Sequence, residues 1–463
     1  MEEKRVVTHH SAVIGGAVVQ YDAVVENFIF TGSDGVQEAS MVTHTYLRTD
    51  IESSAKRPVL FAYNGGPGGC SIYLHMAMLA PKRVQMGDID TLLDSNNLAL
   101  EDNPDSPLDV CDIVVMDAVS TGFSRLLAEE RASNYYGSMA DADAFASVIR
   151  RWLGRYRRWT SPIYLVGESY ATIRNVLLAK ALLDDQNGNS YALQPAGIVM
   201  MGTASDYGQA RFPVPMEVLD LPTLAANNWY QNKLPGRLKD FVEEAYRYSC
   251  DVYARALFMG TRLSAEEQEK IAAELSEFTG FDKEWILSNH LVLRGYATHV
   301  RPGYRVSLYD GRIAVKTDSK KDPFGPYGGD DPLSTVVAVK LLRCYRGLLC
   351  PMLGVETEEE YVVTSPILQQ WDFRTPQPVA NMQEALMASN QELRILYCAG
   401  YYDVLTPIGY LRYLLSHFNF PEERITVRHY ESGHMPYFGA ASAKALGSDL
   451  RTFVETSQFP RES

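Results

Sequence analysis

Hydrophobic and polar positions alternate along the first part of the chain, up to about Asp50. The alternation is interrupted by turn residues at Gly15-Gly16 and at Ser33-Asp34-Gly35. Successive side chains of a strand point to opposite faces of a sheet, so this pattern predicts β-hairpins. We expect these hairpins to lie at a sheet edge.

Further along, apolar residues come in short continuous runs that are separated by helix-like segments. The runs occupy residues 59–63, 112–116, 162–166, 197–201, 394–398 and 425–428. Continuous runs are typical of strands that are covered on both faces. The sequence therefore predicts an α/β fold with a mainly parallel central sheet flanked by helices.

The alternation of strands and helices stops between about Asp206 and about Glu360, where helical patterns dominate. One predicted helix in this part begins with a capping box at Ser264 and Glu267 and ends at Gly280. An insertion between strands is expected to cover the carboxyl edge of the sheet and to shape a pocket there.

The predicted organisation is therefore a catalytic core with an inserted helical cap. We expect the core to comprise residues 1–205 and 361–463, and the cap to comprise residues 206–360. A last helix, from about Ala440 to Thr456, is expected to close the core.

A serine lies in a predicted turn between a strand and a helix. Ser169 stands in the sequence Gly-Glu-Ser-Tyr-Ala, between the apolar run 162–166 and residues 171–183, whose apolar positions recur at helical spacing. Such a turn pushes the serine out of the backbone path and toward the positive end of the helix. The usual pattern has glycine at both flanks, and Ala171 is a mild departure from it.

An aspartate and a histidine follow two later strands. A serine hydroxyl needs a base to take its proton and a carboxylate to orient that base. Asp403 comes just after run 394–398, and His434 comes shortly after run 425–428. Carboxyl ends of parallel strands share one edge, so Ser169 is expected beside both. The chain order Ser, Asp, His matches the α/β-hydrolase arrangement.

A glycine-rich loop, NGGPGGCS at residues 64–71, follows the first apolar run. Glycines let backbone N–H groups approach a ligand closely, which an oxyanion hole requires. Taken alone, the loop is equally compatible with a plain tight turn, but its position after a core strand favours a functional role. His75 and His429 are expected to be packed or surface histidines.

Composition excludes several classes of function. The chain has 463 residues, 46% hydrophobic and 22% charged, which is typical of a soluble globular protein. Its 57 acidic and 43 basic residues give a net charge of -14, so nucleic acid is not an expected partner. We interpret the basic run at residues 150–159 as the solvated face of a helix, with Trp152, Leu153 and Tyr156 packed inward.

No apolar run is long enough to cross a bilayer, and residues 1–10 lack the plan of a secretory signal. We expect a cytoplasmic protein without a membrane partner, or a secreted or periplasmic one if a signal was removed. The six cysteines favour free buried thiols over disulfides, and both remain open. No zinc spacing or phosphate loop is present in the sequence, and we expect no cofactor and no metal.

Four motifs together resemble the serine carboxypeptidase family: residues 64–68, the Gly-Glu-Ser-Tyr turn, DAVSTGFSR at 117–125 and Gly-His-Met at 433–435. The similarity spans most of the catalytic core, and segments 64–84, 142–153 and 221–235 resemble the bacterial-like branch. The resemblance implies an α/β-hydrolase fold and release of C-terminal residues from peptides.

By this resemblance, Ser169 is the nucleophile, His434 the general base and acid, and Asp403 its orienting carboxylate. The remaining implied roles are an oxyanion hole from the N–H groups of Gly66 and Tyr170 and a clamp for the substrate carboxylate from Asn64, Gly65 and Glu168. Two carboxylates in contact repel unless they share a proton, so substrate binding is expected to tighten below neutral pH.

Met78 departs from the family pattern, because secreted members carry a second glutamate at the equivalent position. The implied proton-sharing network is then shorter. Two other functions therefore remain open. One is an esterase, amidase or acyltransferase that uses the same three residues on a small acyl substrate, and the other is a binding protein built on the hydrolase scaffold.

Overall fold

A computed structural model of the chain describes residues 1–184, 193–204, 214–316 and 331–457. Its strands are β1 Arg5–Ile14, β2 Ala17–Thr31, β3 Gln37–Arg48, β4 Val59–Tyr63, β5 Lys82–Val84, β6 Leu100–Asp102, β7 Asp112–Met116, β8 Arg125–Leu126, β9 Ile163–Glu168, β10 Gly197–Met201, β11 Tyr304–Val306, β12 Ala314–Lys316, β13 Arg394–Gly400 and β14 Ile425–Tyr430.

The α-helices are α1 Ile72–Leu74, α2 Ile89–Leu93, α3 Ser138–Arg155, α4 Ala171–Leu183, α5 Met216–Gln231, α6 Leu238–Tyr248, α7 Ala254–Met259, α8 Ala265–Thr279, α9 Lys283–Ser288, α10 Tyr296–His299, α11 Pro332–Cys344, α12 Cys350–Met352, α13 Val379–Ser389, α14 Ile408–His417 and α15 Ala440–Ser457. Single π-helical turns occupy His75–Leu79, Ser249–Tyr253 and Tyr345–Leu349.

The central sheet has ten strands in the order β1-β2-β3-β7-β4-β9-β10-β13-β14, with β8 beside β3. Strands β1, β2 and β3 are antiparallel and form the edge that the alternating pattern predicts. Along the sheet from β7 through β4, β9, β10 and β13 to β14, all neighbouring strands are parallel. Their carboxyl ends therefore lie at one edge, and the predicted α/β-hydrolase fold with a mainly parallel sheet is confirmed.

Helices cover both faces of the parallel strands, which explains the continuous apolar runs. In β4, Leu60 and Ala62 belong to one buried cluster, and Phe61 and Tyr63 belong to another. Helices α11 and α15 pack in the first cluster, while α3, α4 and α13 pack in the second. In such open α/β sheets, ligand sites form beyond the carboxyl ends of the strands.

Helices α5 to α10 bury a third apolar cluster of their own. The predicted capping box of α8 is present, and Gly280 ends this helix at φ +73°. The predicted boundary at residues 205 and 206 lies outside the described residues. Helix α11 packs into the first core cluster rather than the third.

The interpretation of the basic run is wrong in part. Helix α3 buries Trp152 and Leu153 as predicted, but it ends at Arg155. The chain then turns, and Arg158 is only 2% exposed, with its Nη1 donating to Asp112 Oδ2 at 2.5 Å. A helical pattern extended past the true end of a helix puts such residues on the wrong face.

All six cysteines are free, as the sequence favours, and Cys250 is exposed whereas the other five are buried. Within the described ranges, no helix combines the length and apolar character that crossing a membrane requires.

Candidate active site

Ser169 occupies a sharp turn between β9 and α4. Its φ of +62° lies in the left-handed region, which residues other than glycine rarely adopt. Two contacts hold this conformation: the Ser169 N–H donates to Met201 O at 2.8 Å, and its carbonyl accepts from the Thr172 N–H at 2.9 Å. Ala171 is fully buried as the first residue of α4, so the turn accommodates this departure from glycine.

Asp403 and His434 form a buried hydrogen-bonded pair. His434 Nδ1 lies 2.8 Å from Asp403 Oδ2, and the two residues are 2% exposed or less. Asp403 Oδ1 also accepts the N–H groups of Leu405 and Thr406, at 2.9 and 3.0 Å. Burial would lower the pKa of His434, but the Asp403 charge and hydrogen bond outweigh burial and raise that pKa.

The His434 ring lies beside the turn that carries Ser169. Ser169 is hydrogen-bonded to Met201, and a Cβ on the next residue, Gly202, would stand 2.9 Å from the His434 ring. His434 Nε2, the nitrogen not used by Asp403, is buried and has no partner among the described residues. This nitrogen is therefore available to a neighbouring hydroxyl group.

The glycine loop packs directly on the serine turn. A Cβ on Gly65 would stand 2.6 Å from Tyr170 N and 2.7 Å from Glu168 O, so no side chain fits there. Gly66 is exposed and has φ +118°. Within the described part of the chain, the N–H groups of Gly65, Gly66 and Tyr170 donate to no protein acceptor.

Neighbouring loops hold this glycine loop in place. The Ser365 N–H donates to Gly68 O at 2.8 Å. Asp117 accepts the Ser71 N–H at 2.7 Å and the Tyr361 hydroxyl at 3.2 Å. Burial raises the pKa of Asp117 to about 6. Asp117, the first residue of the DAVSTGFSR motif, therefore helps to hold the glycine loop in place.

Glu168 lies beside Ser169 and is almost fully enclosed. Its carboxyl accepts Asn64 Nδ2 at 2.6 Å on Oε1 and the Tyr437 hydroxyl at 2.6 Å on Oε2. The residue is 3% exposed, and burial raises the pKa of Glu168 to about 7 despite the hydrogen bonds and the charge of His434. A proton on this carboxyl is therefore exchanged near neutral pH.

The structure brings the predicted residues together at one edge of the sheet, and it adds Tyr437. Sequence reasoning missed this tyrosine, although its place three residues after His434 put it on the same edge. Met78 is fully buried in the π-helical turn His75–Leu79, in the first core cluster. Glu168 therefore has the Tyr437 hydroxyl as a hydrogen-bond partner, and Met78 supplies no second carboxyl.

His75 and His429 are packed histidines, and two serines of neighbouring loops hold backbone carbonyls. His75 Nε2 lies 2.6 Å from the Tyr46 hydroxyl, and His429 packs in β14 with a pKa that burial lowers to about 4. The Ser71 and Ser124 hydroxyls donate to backbone carbonyls, at 2.5 and 2.9 Å.

Comparisons with known proteins bear on the family and the fold of the chain. The sequence profile of the serine carboxypeptidase family matches residues 34–229. No curated protein matches the chain significantly. Kex1(delta)p, a prohormone-processing carboxypeptidase from Saccharomyces cerevisiae, is 14% identical, with 94% of this chain and 92% of that chain covered and a TM-score of 0.57.

A thermophilic esterase from Thermogutta terrifontis is 13% identical, with 94% of this chain and 99% of that chain covered and a TM-score of 0.37. The likeness to the yeast carboxypeptidase shows a common fold, and the family profile covers the glycine loop and the serine turn. The chain is therefore a serine hydrolase of the α/β-hydrolase fold, related through residues 34–229 to the serine carboxypeptidase family.

Proposed function

We propose that the protein is a carboxypeptidase that releases C-terminal residues from peptides through an acyl-enzyme on Ser169. The observation that carries this proposal is the buried carboxyl of Glu168 next to the nucleophile, with a pKa of about 7. A carboxyl that holds a proton near neutral pH can donate it to a substrate carboxylate. Hydrolysis of a simple ester or amide has no need of such a group.

In the proposed mechanism, His434 Nε2 takes the hydroxyl proton of Ser169 while the oxygen attacks the scissile carbonyl carbon. Asp403 keeps the imidazole oriented and stabilises its protonated form. The N–H groups of Gly66 and Tyr170 receive the developing oxyanion, and each such donor typically contributes about 2.7–4 kcal/mol to transition-state stabilisation.

His434 then gives its proton to the leaving amine, and the C–N bond breaks. A water molecule, deprotonated in turn by His434, attacks the acyl-enzyme carbonyl. The second tetrahedral intermediate collapses, Ser169 recovers its proton, and the shortened peptide leaves as a carboxylic acid.

We propose that Asn64, the Gly65 N–H and Glu168 hold the terminal carboxylate of the substrate. Asn64 and Glu168 are already hydrogen-bonded to each other, and the Gly65 N–H has no acceptor among the described residues. Below about pH 7, Glu168 is neutral and can share its proton with the substrate, whereas above it two carboxylates would repel. Tyr437 steadies Glu168 from the other side.

We also propose that residues 206–360 act as the cap that shapes the substrate pocket. Support comes from the loop between β11 and β12, because Tyr309 O accepts the His434 N–H at 2.6 Å and Leu308 O accepts the Val404 N–H at 3.1 Å. The insertion therefore contacts the catalytic loops themselves.

The alternative is an esterase, amidase or acyltransferase with the same nucleophile. It is favoured by Met78, which leaves Glu168 as a single carboxyl in the clamp. The discriminating experiment compares N-blocked dipeptides as free acids and as C-terminal amides, with Ser169→Ala as the control. Cleavage of the acids alone, lost in the variant, supports the carboxypeptidase. Equal cleavage of acids and amides would refute it.

A further inference from the structure

Arg174 lies fully buried beneath the glycine loop, in the second turn of α4. Its Nε donates to Asp141 Oδ2 at 2.6 Å, and its Nη1 donates to Asn64 O at 2.8 Å. Three aromatic rings surround the guanidinium group, with centroids 4.4 to 5.4 Å from Cζ: Tyr63, Phe145 and Tyr170. The cation therefore sits between the serine turn and the substrate clamp.

A contribution to stability alone does not account for this buried ion pair. Arg174 Nη2 is buried and has no partner within the described residues. Removing an ion pair from water requires a large desolvation free energy, and well-packed apolar residues often replace such pairs without loss of stability. The contact with Asn64 O suggests a different role for the arginine.

That contact fixes the direction of one peptide group. The Asn64–Gly65 peptide is trans, so its carbonyl and its N–H point in opposite directions. Because Arg174 holds the Asn64 carbonyl from the α4 side, the Gly65 N–H points away from α4. A charged donor on the carbonyl also polarises the peptide and makes its N–H a stronger donor.

We propose that Arg174 is a positioning residue that aims the Gly65 N–H at the terminal carboxylate of the substrate. This inference rests on the proposed carboxypeptidase function and assigns part of its selectivity for free acids to a residue outside the pocket. Gly65 would contact the carboxylate in both the ground state and the transition state. Loss of its alignment should therefore raise KM for peptide acids with little change in kcat.

The test measures kcat and KM for an N-blocked dipeptide acid and for an N-blocked amino acid ester that has no carboxylate. Two variants are compared with wild type: Arg174→Lys, and the double variant Arg174→Met, Asp141→Leu, which removes the buried pair as a unit. Lysine keeps the charge but lacks the fork that reaches Asp141 and Asn64 together.

For the double variant, KM for the acid should rise about tenfold, with kcat for the acid and kcat/KM for the ester within about threefold of wild type. Arg174→Lys should give a smaller rise in KM of the same kind. The fall of KM with decreasing pH should persist in both variants, because Glu168 remains in place.

Arg158→Met is the matched control. Arg158 is also a buried arginine that pairs with an aspartate, Asp112, but it lies at the opposite end of the sheet, where β7 begins. This variant should lower the melting temperature without changing KM for either substrate.

An equal loss for acid and ester, or an unchanged KM for the acid, would show that Arg174 only supports the fold. Wild type could prefer free acids over amides while the variants lose activity equally on the dipeptide acid and on the ester. That result would overturn the inference about Arg174 and leave the proposed function standing. If wild type showed no preference for free acids, the proposed function would fail and the inference with it.

Discussion

At the scale of single residues, the site keeps groups in states that are unfavourable for folding. Ser169 holds a left-handed backbone conformation, and Glu168 holds a carboxyl away from water. Both states are useful for catalysis because they expose a nucleophile and keep a proton available near neutral pH. Such sites commonly exchange stability for function.

Glu168→Gln should therefore raise the free energy of unfolding at pH 8. The pKa of Glu168 is about 7 in the folded chain and lower in the unfolded chain, so wild-type stability falls as pH rises toward 7. This loss of unfolding free energy in wild type amounts to about 3 kcal/mol at most, and the variant avoids it because glutamine does not titrate. Denaturant unfolding at pH 8 and pH 4.5 measures it, and a variant that is less stable than wild type at pH 8 would contradict the argument.

At the scale of elements, the loop between β11 and β12 is hydrogen-bonded to the loop that carries His434. Arg312 in this loop donates to three groups on either side of His434, at 2.8 to 3.1 Å: Glu431 O, Ser432 Oγ and Phe438 O. It also pairs with Asp310 through Nε, at 2.9 Å. The β11–β12 loop therefore contacts the chain on both sides of His434.

Arg312→Met should lower kcat for peptide acids and for esters alike, by about tenfold or more, because displacement of His434 affects every acyl transfer at this serine. Steady-state kinetics on both substrates measure the effect. The control is Arg374→Met, since the Arg374 side chain is 88% exposed and pairs with Asp372 at the surface. A loss confined to acids would contradict the role of Arg312.

The strands and the serine turn could be predicted because their signals are local. A run of apolar residues, a turn residue and a helical spacing are all read within a few positions. Tyr437 and Arg174 could not be placed this way, because each contacts a partner 269 or 110 positions away. Their side-chain directions are set by loops whose paths the pattern does not specify.

At the scale of the whole molecule, a buried polar cluster joins the core to the segment after α11. His44 Nε2 lies 2.6 Å from the Tyr345 hydroxyl, and the His44 and His75 rings lie 4.7 Å apart. Burial lowers the pKa of His44 to about 4 and that of His75 well below its ordinary value. Both histidines are therefore neutral in the folded protein near pH 7.

His44→Gln should reduce the loss of stability on acidification. The unfolded chain binds a proton at His44 below about pH 6.5, and the folded chain binds it only near pH 4, so wild-type stability declines as pH falls through this window. The variant should remove about 2 kcal/mol of the change in unfolding free energy between pH 7 and pH 5. Denaturant unfolding at both pH values measures the change, and an equal loss of stability in the variant and in wild type would contradict the argument.

The role of Glu168 is tested by the pH dependence of KM for a peptide acid and for a matched ester without a carboxylate. If Glu168 shares its proton with the substrate, KM for the acid should rise about tenfold from pH 6 to pH 8, and KM for the ester should stay level. Glu168→Gln should flatten the profile for the acid. A KM for the acid that is level or falls over this range in wild type would contradict the carboxylate clamp and the carboxypeptidase function built on it.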